Sequence, residues 1–236
     1  MWVLRPLIPF CAILVGPATA RPADRVDVAL VLAADVSRSI TTEKFDLQRE
    51  GYAAAIRDPQ VLNAVASGPN HRIAVALVEW SGAGSQAVVV DWTLIESARD
   101  AEVFAGRTLA APRAFANRTA LGAALTFART VLAQCPYDGD RKVIDVSGDG
   151  TNNDGMPAGD ARDAALAAGV STINGLVILS SDTGSSYLKD HENPPGGLQS
   201  YYRQNVAGGT GSFVLVAKSF ESFGRSLVAK LVQEIS

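Results

Sequence analysis

The chain has 236 residues, with 21 Lys and Arg against 24 Asp and Glu, and a net charge of −3 at pH 7. This balance, without a basic cluster, argues against nucleic acid as a partner. Of its two cysteines, Cys11 lies in the first twenty residues and Cys135 in the rest. If those twenty residues are removed, an internal disulfide is impossible, and the fold must depend on its hydrophobic core.

The first twenty residues have the pattern of a secretory signal peptide. An apolar stretch at 7–15 precedes a small-x-small cleavage site at 18–20. A membrane anchor needs about 20 consecutive apolar residues, whereas this run is shorter and interrupted by Pro9. We therefore expect a signal peptide at 1–20, a single domain at 21–236, and export to the periplasm or the extracellular space without membrane insertion.

Strands and helices alternate along the remainder of the chain. Apolar runs typical of strands occur at 27–34, 72–80, 86–94, 142–146, 172–179 and 212–217. Helical periodicity occurs at 42–58, 97–109, 119–135, 158–168, 198–206 and 220–235. The link between the second and third runs is so short that an antiparallel hairpin is expected. The pattern predicts an α/β, Rossmann-type fold: a doubly wound, mostly parallel six-stranded sheet with helices on both faces and one antiparallel edge strand.

The first strand ends in an unusual set of polar residues, Asp35, Ser37 and Ser39. Residues at alternate positions project to one side, so these oxygens can converge beyond the strand end. Oxygen donors suit Mg²⁺, Ca²⁺ or Mn²⁺, whereas zinc normally has His or Cys ligands, which this set lacks. The same residue types also cap helices, so the motif alone leaves both interpretations open.

Two further oxygen-bearing residues are expected at the same edge of the sheet. Thr119 begins a predicted helix after a long connection, and Asp149 follows the strand at 142–146. In a doubly wound sheet the carboxyl ends of the parallel strands meet at one edge, and ligands bind there. The sequence therefore predicts one site that combines all three segments.

This spaced set of motifs resembles the von Willebrand factor type A domain with its metal-ion-dependent adhesion site. The resemblance covers essentially the whole chain after residue 20. It rests on Asp35-x-Ser37-x-Ser39 after the first strand, the strand at 73–80 followed by Ser81, the helix start Thr119-Ala-Leu-Gly, and Asp149-Gly150. Exported bacterial proteins of this type with no assigned function are similar.

The resemblance implies a role for each residue of the site. Ser37, Ser39 and Thr119 would supply hydroxyl ligands, and Asp35 and Asp149 would bind the cation directly or through water. Mg²⁺ is the default cation, with Ca²⁺ or Mn²⁺ as alternatives. Mostly neutral ligands leave the cation enough charge to attract an outside carboxylate. The implied protein is thus a binding module for an acidic group of a protein or peptide partner, and not an enzyme.

One departure from the family pattern affects Asp149. The family usually has Thr-Asp-Gly, where this chain has Ser147-Gly148-Asp149-Gly150. The inserted glycine shifts the carboxylate along the chain. Ser147 or Asp154 is therefore an alternative for its role.

An enzyme is the rival interpretation. Residues 148–154 also resemble the magnesium-binding G-D-G-x-N-D segment of haloacid-dehalogenase-type phosphatases. However, Ser37 stands where those enzymes have a second Asp or a Thr, and the spacing to Asp154 is one residue too long. His71 and His191 are the only histidines, and both are expected in surface loops and not as catalytic bases.

The longest stretch without a periodic apolar pattern is the loop at 180–197. It leaves a strand predicted to be parallel to the one that carries Asp35, so it starts on the same edge as the site. Loops this long are uncommon without a role. We expect it to select the partner through Tyr187, Lys189 and His191, with a passive connector as the alternative.

Overall fold

In the computed structural model of the protein, residues 24–179 and 191–236 are described. The predicted signal peptide at 1–20 lies outside these ranges, as do Tyr187 and Lys189. Within the two ranges, no helix is long and apolar enough to cross a membrane.

The strands and helices follow the predicted order. The strands are β1 (Arg25–Asp35), β2 (Ile73–Trp80), β3 (Gln86–Ile95), β4 (Asp138–Gly148), β5 (Thr172–Ile178), β6 (Gly208–Gly209) and β7 (Val214–Ala217). The helices are α1 (Thr42–Arg57), α2 (Pro59–Ser67), α3 (Ala98–Ala110), α4 (Leu121–Ala133), α5 (Ala158–Ala167), α6 (Leu198–Asn205) and α7 (Phe223–Ile235).

The described strands form one sheet in the order β3-β2-β1-β4-β5-β7, with β6 also paired to β5. The pairs β2-β1, β1-β4, β4-β5 and β5-β7 are parallel, and β3 is antiparallel at one edge. This confirms the predicted doubly wound sheet and its antiparallel edge strand. The short antiparallel β6 was not predicted, because two glycines carry no apolar pattern.

The core has two layers because β1 is buried on both faces. Val28, Leu30 and Leu32 face the layer formed with α1, α2, α3 and α7. Ala29, Val31 and Ala33, which alternate with them, face α4, α5 and α6. Successive strand residues point to opposite faces, so a continuous apolar run is what a central strand requires.

Two helix boundaries differ from the prediction. Pro59 ends α1 as expected, but it also opens α2, because Asp58 Oδ1 accepts a hydrogen bond from Gln60 N at 2.8 Å and proline fits the first helical turn. The next difference affects the site. Helix α4 begins at Leu121, so Thr119 lies in the connection before the helix and not within it.

Trp80 and Cys135 both contact the core. Trp80 is fully buried, and its indole donates a hydrogen bond to Ala33 O at 3.1 Å. Cys135 packs against the layer under α4. Burial raises the pKa of its thiol, which disfavours the reactive thiolate.

A buried ion cluster joins α7 to the sheet. Lys230 Nζ lies 2.7 Å from Asp145 Oδ1 on β4 and also pairs with Glu234. Asn174 on β5 donates a hydrogen bond to Glu234 at 2.9 Å. Burial and the nearby Asp145 raise the pKa of Glu234 to about 7. Since breaking one member of such a buried cluster leaves an unpaired charge, these contacts fix how α7 sits on the sheet.

The raised pKa of Glu234 predicts a pH-dependent stability. The folded state binds this proton more tightly than the unfolded state, so the stabilisation is complete below pH 4.5 and is lost as the pH rises through about 7. The stability of the neutral variant Glu234→Gln relative to the wild type should therefore rise by on the order of 3 kcal/mol between pH 4.5 and about 7. Lys230 keeps Asp145 as its partner in this variant. Urea unfolding of both proteins across this range measures the difference.

Exposed Glu50 on α1 provides the matched substitution Glu50→Gln, which controls for the change of side chain alone. A difference between wild type and Glu234→Gln that stayed constant with pH would contradict the prediction.

Candidate metal centre

Two buried carboxylates lie at the carboxyl edge of the sheet. Asp35 ends β1, and Asp149 follows β4, which is its parallel neighbour. Asp35 is 0% exposed and Asp149 1%. Because adjacent parallel strands end side by side, residues 114 positions apart become neighbours here.

The hydroxyls of the Asp35-x-Ser37-x-Ser39 turn bridge these carboxylates. Ser37 N donates to Asp35 Oδ1 at 2.8 Å, and the Ser37 and Ser39 Oγ atoms lie 3.2 Å apart. Ser39 Oγ donates to Asp149 Oδ1 at 2.7 Å. The N-cap of α1 is Thr41, whose Oγ1 accepts from Lys44 N. The turn thus forms one polar cluster with Asp149 and leaves the capping to Thr41.

Both carboxylates are electrostatically strained. Burial, with the charge of Asp149 as a further cause, raises the pKa of Asp35 to about 8. Burial also raises the pKa of Asp149, against the opposing effects of Ser39 and Lys44, whose Nζ lies 4.0 Å from Asp149 Oδ2. Two like charges in a buried site disfavour joint ionisation, so added positive charge at this point would favour the ionised form of both carboxylates.

Thr119 is brought to the same cluster by two asparagines that sequence reasoning missed. Thr119 N donates to Asn153 Oδ1 at 3.0 Å, and Gly122 N donates to Asn152 Oδ1 at 3.2 Å. Asn153 N in turn donates to Thr119 O at 2.9 Å. The turn after β4 therefore holds the start of α4. Thr119 and Ser39 line one cleft of about 130 Å³.

The alternatives to Asp149 are engaged elsewhere. Ser147 Oγ lies 2.8 Å from the hydroxyl of Tyr52 within the core. Asp154 Oδ2 accepts from Ala83 N at 2.9 Å and so holds the turn after β2. Gly148, which departs from the family pattern, is required by space: a Cβ there would lie 2.4 Å from Tyr202 Oη and 2.9 Å from Asp35 Oδ2.

A buried ion pair holds the connection that carries Thr119. Arg49 on α1 pairs with Glu79 on β2, and Glu79 Oε2 accepts from Ala114 N at 2.7 Å. Arg113 donates to the carbonyl oxygens of Val36 and Ser37 at 2.8 and 3.0 Å. The connection is thereby tied to the Asp35 turn. No sequence pattern indicated these contacts.

His191 and Tyr202 also lie at the site. Sequence reasoning gave His191 a role in selecting the partner and gave Tyr202 none. His191 Nε2 lies 3.2 Å from Thr119 Oγ1, and the residue is half-buried. The hydroxyl of Tyr202 is buried without a hydrogen-bond partner. Burial and the charges of Asp35 and Asp149 raise its pKa. Tyr202 therefore stays a neutral phenol behind the carboxylates.

The cluster fits a divalent cation of the oxygen-binding type. Asp35 Oδ2 and Asp149 Oδ2 are buried and accept no hydrogen bond, which is costly unless a positive group satisfies them. The hydroxyls of Ser37 and Ser39 contact each other and Asp149, and Thr119 shares a cleft with Ser39. Such oxygen donors suit Mg²⁺, Ca²⁺ or Mn²⁺. Across the described ranges, no group of three or more His, Cys, Asp or Glu residues could hold a metal, so a cation here depends on the hydroxyls.

A larger cleft of about 510 Å³ lies at the opposite edge of the sheet, beside Asp27 and Asp140. Its carboxylates have partners: Asp27 accepts from Asn70, and Asp140 pairs with Arg25. The larger volume of this cleft therefore does not make it the better candidate for the cation site. The carboxylate oxygens of Asp35 and Asp149 that accept no hydrogen bond lie at the carboxyl edge, where ligands of such sheets bind.

The fold is that of the von Willebrand factor type A domain. A structure of proximal thread matrix protein 1 from the mussel byssus, with a zinc-occupied metal-ion-dependent adhesion site, has a TM-score of 0.62 and 19% identity, covering 92% of this chain and 49% of that one. The pilus adhesin SpaC of Lactobacillus rhamnosus GG, in an open conformation, has a TM-score of 0.61 and 15% identity, covering 92% and 30%.

A von Willebrand factor type A structure from Catenulispora acidiphila has a TM-score of 0.52 and 16% identity, covering 88% of this chain and 42% of that one. The chain thus spans about half or less of these solved chains. No curated protein sequence matches it significantly. The chain belongs to the family described as "Protein of unknown function (DUF1194)", whose model matches residues 25–236.

The strained carboxylate pair predicts opposite effects of one substitution on stability and on binding. Asp35→Asn removes a buried charge, so the metal-free variant should be more stable than wild type at about pH 8, by at least about 1 kcal/mol. It should also lose stabilisation by cations. Wild type should gain about 2.7 kcal/mol at a free Mg²⁺ concentration a hundredfold above Kd. Urea unfolding in chelator and in Mg²⁺ measures both effects.

Asp154→Asn is the matched control, because it changes a nearby carboxylate that holds the turn after β2. This variant should keep the stabilisation by Mg²⁺. Equal stabilisation of Asp35→Asn and wild type by the cation would contradict the assignment of Asp35 as a ligand.

Proposed function

We propose that this protein is an exported binding module that captures an acidic group of a protein or peptide partner through a divalent cation. Asp35, Ser37, Ser39, Thr119 and Asp149 would hold the cation, with Mg²⁺ as the default. When bound, the cation supplies an open coordination position and positive charge for a carboxylate. Residues 21–236 form the module, and 1–20 direct its export.

The carrying observation is the pair of buried carboxylate oxygens that accept no hydrogen bond, Asp35 Oδ2 and Asp149 Oδ2. Ser39 donates a hydrogen bond to Asp149 and also lines, with Thr119, the neighbouring cleft, which supports one site for all five residues. Such an arrangement destabilises the protein unless a cation binds. A site of this kind supports a binding role more than a purely structural one, because buried structural charges are normally paired.

Positive charge at the rim of the cleft supports the proposal that the partner is acidic. Arg38 and Arg118 line it, and both side chains are exposed. The backbone joins them closely, since Arg38 N donates to Asn117 O at 2.8 Å. In a protein of net charge −3, this is a local concentration of positive charge next to the site. Such a rim steers and orients an anionic partner.

The solved structures support the same class of function. The mussel protein holds zinc in its metal-ion-dependent adhesion site, and SpaC is a pilus adhesin. At such low identity they share the fold with this chain, and their properties come to it only as part of the proposal. Adhesion through a cation remains the activity that the carboxylate and hydroxyl cluster fits best.

The phosphatase alternative is disfavoured by the turn after β4. Its magnesium-binding segment would need the side chains at 152–154. Asn152 and Asn153 instead accept hydrogen bonds from the start of α4, and Asp154 accepts one from Ala83 N. These contacts give the segment a positioning role for Thr119.

Capture from the exported fraction tests the proposal. Wild-type protein should retain its partner with Mg²⁺ and release it with chelator, and Asp35→Ala should retain nothing. Amidation of carboxyl groups in the fraction should abolish capture, because the acidic group is then neutral. Capture that survives chelator and Asp35→Ala would overturn the proposal. Magnesium-dependent hydrolysis of a phosphomonoester that Asp35→Ala loses would establish the phosphatase instead.

The arginine rim predicts a separation between cation binding and partner binding. Arg38→Ala and Arg118→Ala should each weaken capture by about tenfold, chiefly through slower association that depends on salt. Stabilisation by Mg²⁺ should change little, because neither side chain belongs to the proposed ligand set. Arg99→Ala, an exposed arginine next to the N-cap of α3, should capture as well as wild type. Surface plasmon resonance measures the association rates.

A further inference from the structure

The imidazole of His191 bridges two threonines from different segments at the site. His191 Nε2 lies 3.2 Å from Thr119 Oγ1, and Nδ1 lies 2.9 Å from Thr151 Oγ1. The backbone reinforces the contact, since Thr151 N donates to His191 O at 3.1 Å. The ring is partly buried. His191 is therefore held in place from both ring nitrogens and from its main chain.

The hydroxyl chemistry of Thr119 sets the direction of these hydrogen bonds when a cation is bound. A hydroxyl that ligates a cation presents an oxygen lone pair to it, and its proton must point elsewhere. The acceptor at hydrogen-bond distance is His191 Nε2. A neutral imidazole has one acceptor and one donor nitrogen, so Nδ1 then carries the proton and donates it to Thr151 Oγ1.

We propose that His191 is a positioning residue for the cation: it accepts the Thr119 hydroxyl proton and so holds the Thr119 oxygen toward the metal. The inference rests on the proposed function, because it assumes that Thr119 is a ligand. Groups that orient ligands in this way typically contribute 10- to 100-fold to metal affinity. His191 thus connects the segment after residue 190 to the cation without ligating it.

The glycine after Asp149 supports this arrangement independently. A Cβ at Gly150 would lie 2.2 Å from His191 Nε2 and 2.6 Å from Cε1. The ring packs directly on the backbone of the turn that supplies Asp149, and only glycine leaves room for it. Gly150→Ala should therefore displace the ring and weaken cation binding, although Gly150 offers no ligand atom of its own.

A direct bond from Nε2 to the cation is the rival arrangement. It would add nitrogen to an all-oxygen set and shift the preference from Mg²⁺ toward Zn²⁺. Within residues 24–179 and 191–236, His191 does not form a metal-holding group with two carboxylates, which favours the positioning role. The two arrangements differ in how removal of the ring affects different cations.

Calorimetric titration of the full chain after residue 20 with Mg²⁺, Mn²⁺ and Zn²⁺ tests the inference. His191→Ala should weaken all three cations by a similar factor, about 10- to 100-fold. His191→Gln should restore most of the affinity, because its Oε1 can accept the Thr119 proton. Thr151→Val, which removes the partner of Nδ1, should cause a smaller loss for all three. His71→Asn is the matched control and should bind like wild type.

Unfolding midpoints in chelator show whether each variant keeps the metal-free fold, and equal midpoints assign the losses to cation binding. Unchanged affinity of His191→Ala would overturn the positioning role while the proposed function stands. A loss confined to Zn²⁺ would overturn it in favour of direct ligation. Wild-type protein that binds none of the three cations would overturn the proposed function itself, and the inference with it.

Discussion

The structure depends on one unfavourable contact, the approach of two buried carboxylates at the ends of β1 and β4. The parallel pairing of these strands places Asp35 and Asp149 side by side away from water. Burial opposes ionisation of both groups, and each adds to the cost of charging the other. Two buried carboxylates this close together lower the stability of the folded protein. Groups with such strongly shifted pKa values are typical of functional sites.

A second pair of buried carboxylates, in the core, differs from Asp35 and Asp149 in its contacts with lysine. Asp145 and Glu234 also lie close together, but Lys230 pairs with both, and Asn174 donates to Glu234. That cluster joins a helix to the sheet. Asp145 Oδ2 and Glu234 Oε2 also accept no hydrogen bond, but Lys230 supplies a positive charge in direct contact with both residues. At the carboxyl edge, Lys44 Nζ comes only to 4.0 Å of Asp149, and the inner carboxylate oxygens accept no hydrogen bond. The difference in pairing with lysine separates the structural cluster from the proposed cation site.

Much of the surrounding structure serves to hold the hydroxyls against these carboxylates. The Arg49–Glu79 ion pair fixes the connection before α4, and Arg113 ties that connection to the Asp35 turn. The asparagines after β4 hold Thr119 from the other side. The contacts of Arg113 and of the asparagines each join two segments that supply different proposed ligands, so the geometry of the candidate site depends on tertiary contacts and not on one rigid loop.

The sequence by itself determined the sheet and the candidate ligands. Continuous apolar runs identify buried parallel strands, and polar residues directly after them must then lie at one edge, which brings Asp35, Ser37, Ser39 and Asp149 together. Thr119 joined them as the start of a predicted helix, and the resemblance to the von Willebrand factor type A domain implied the role of each residue. Only the tertiary structure decided what surrounds them. Thr119 and His191 are 72 positions apart, and Arg49 and Glu79 are 30 apart. Such contacts depend on the path that the connections take between helices and strands. Apolar periodicity reports only which residues of one segment are buried, so it carries no information about that path.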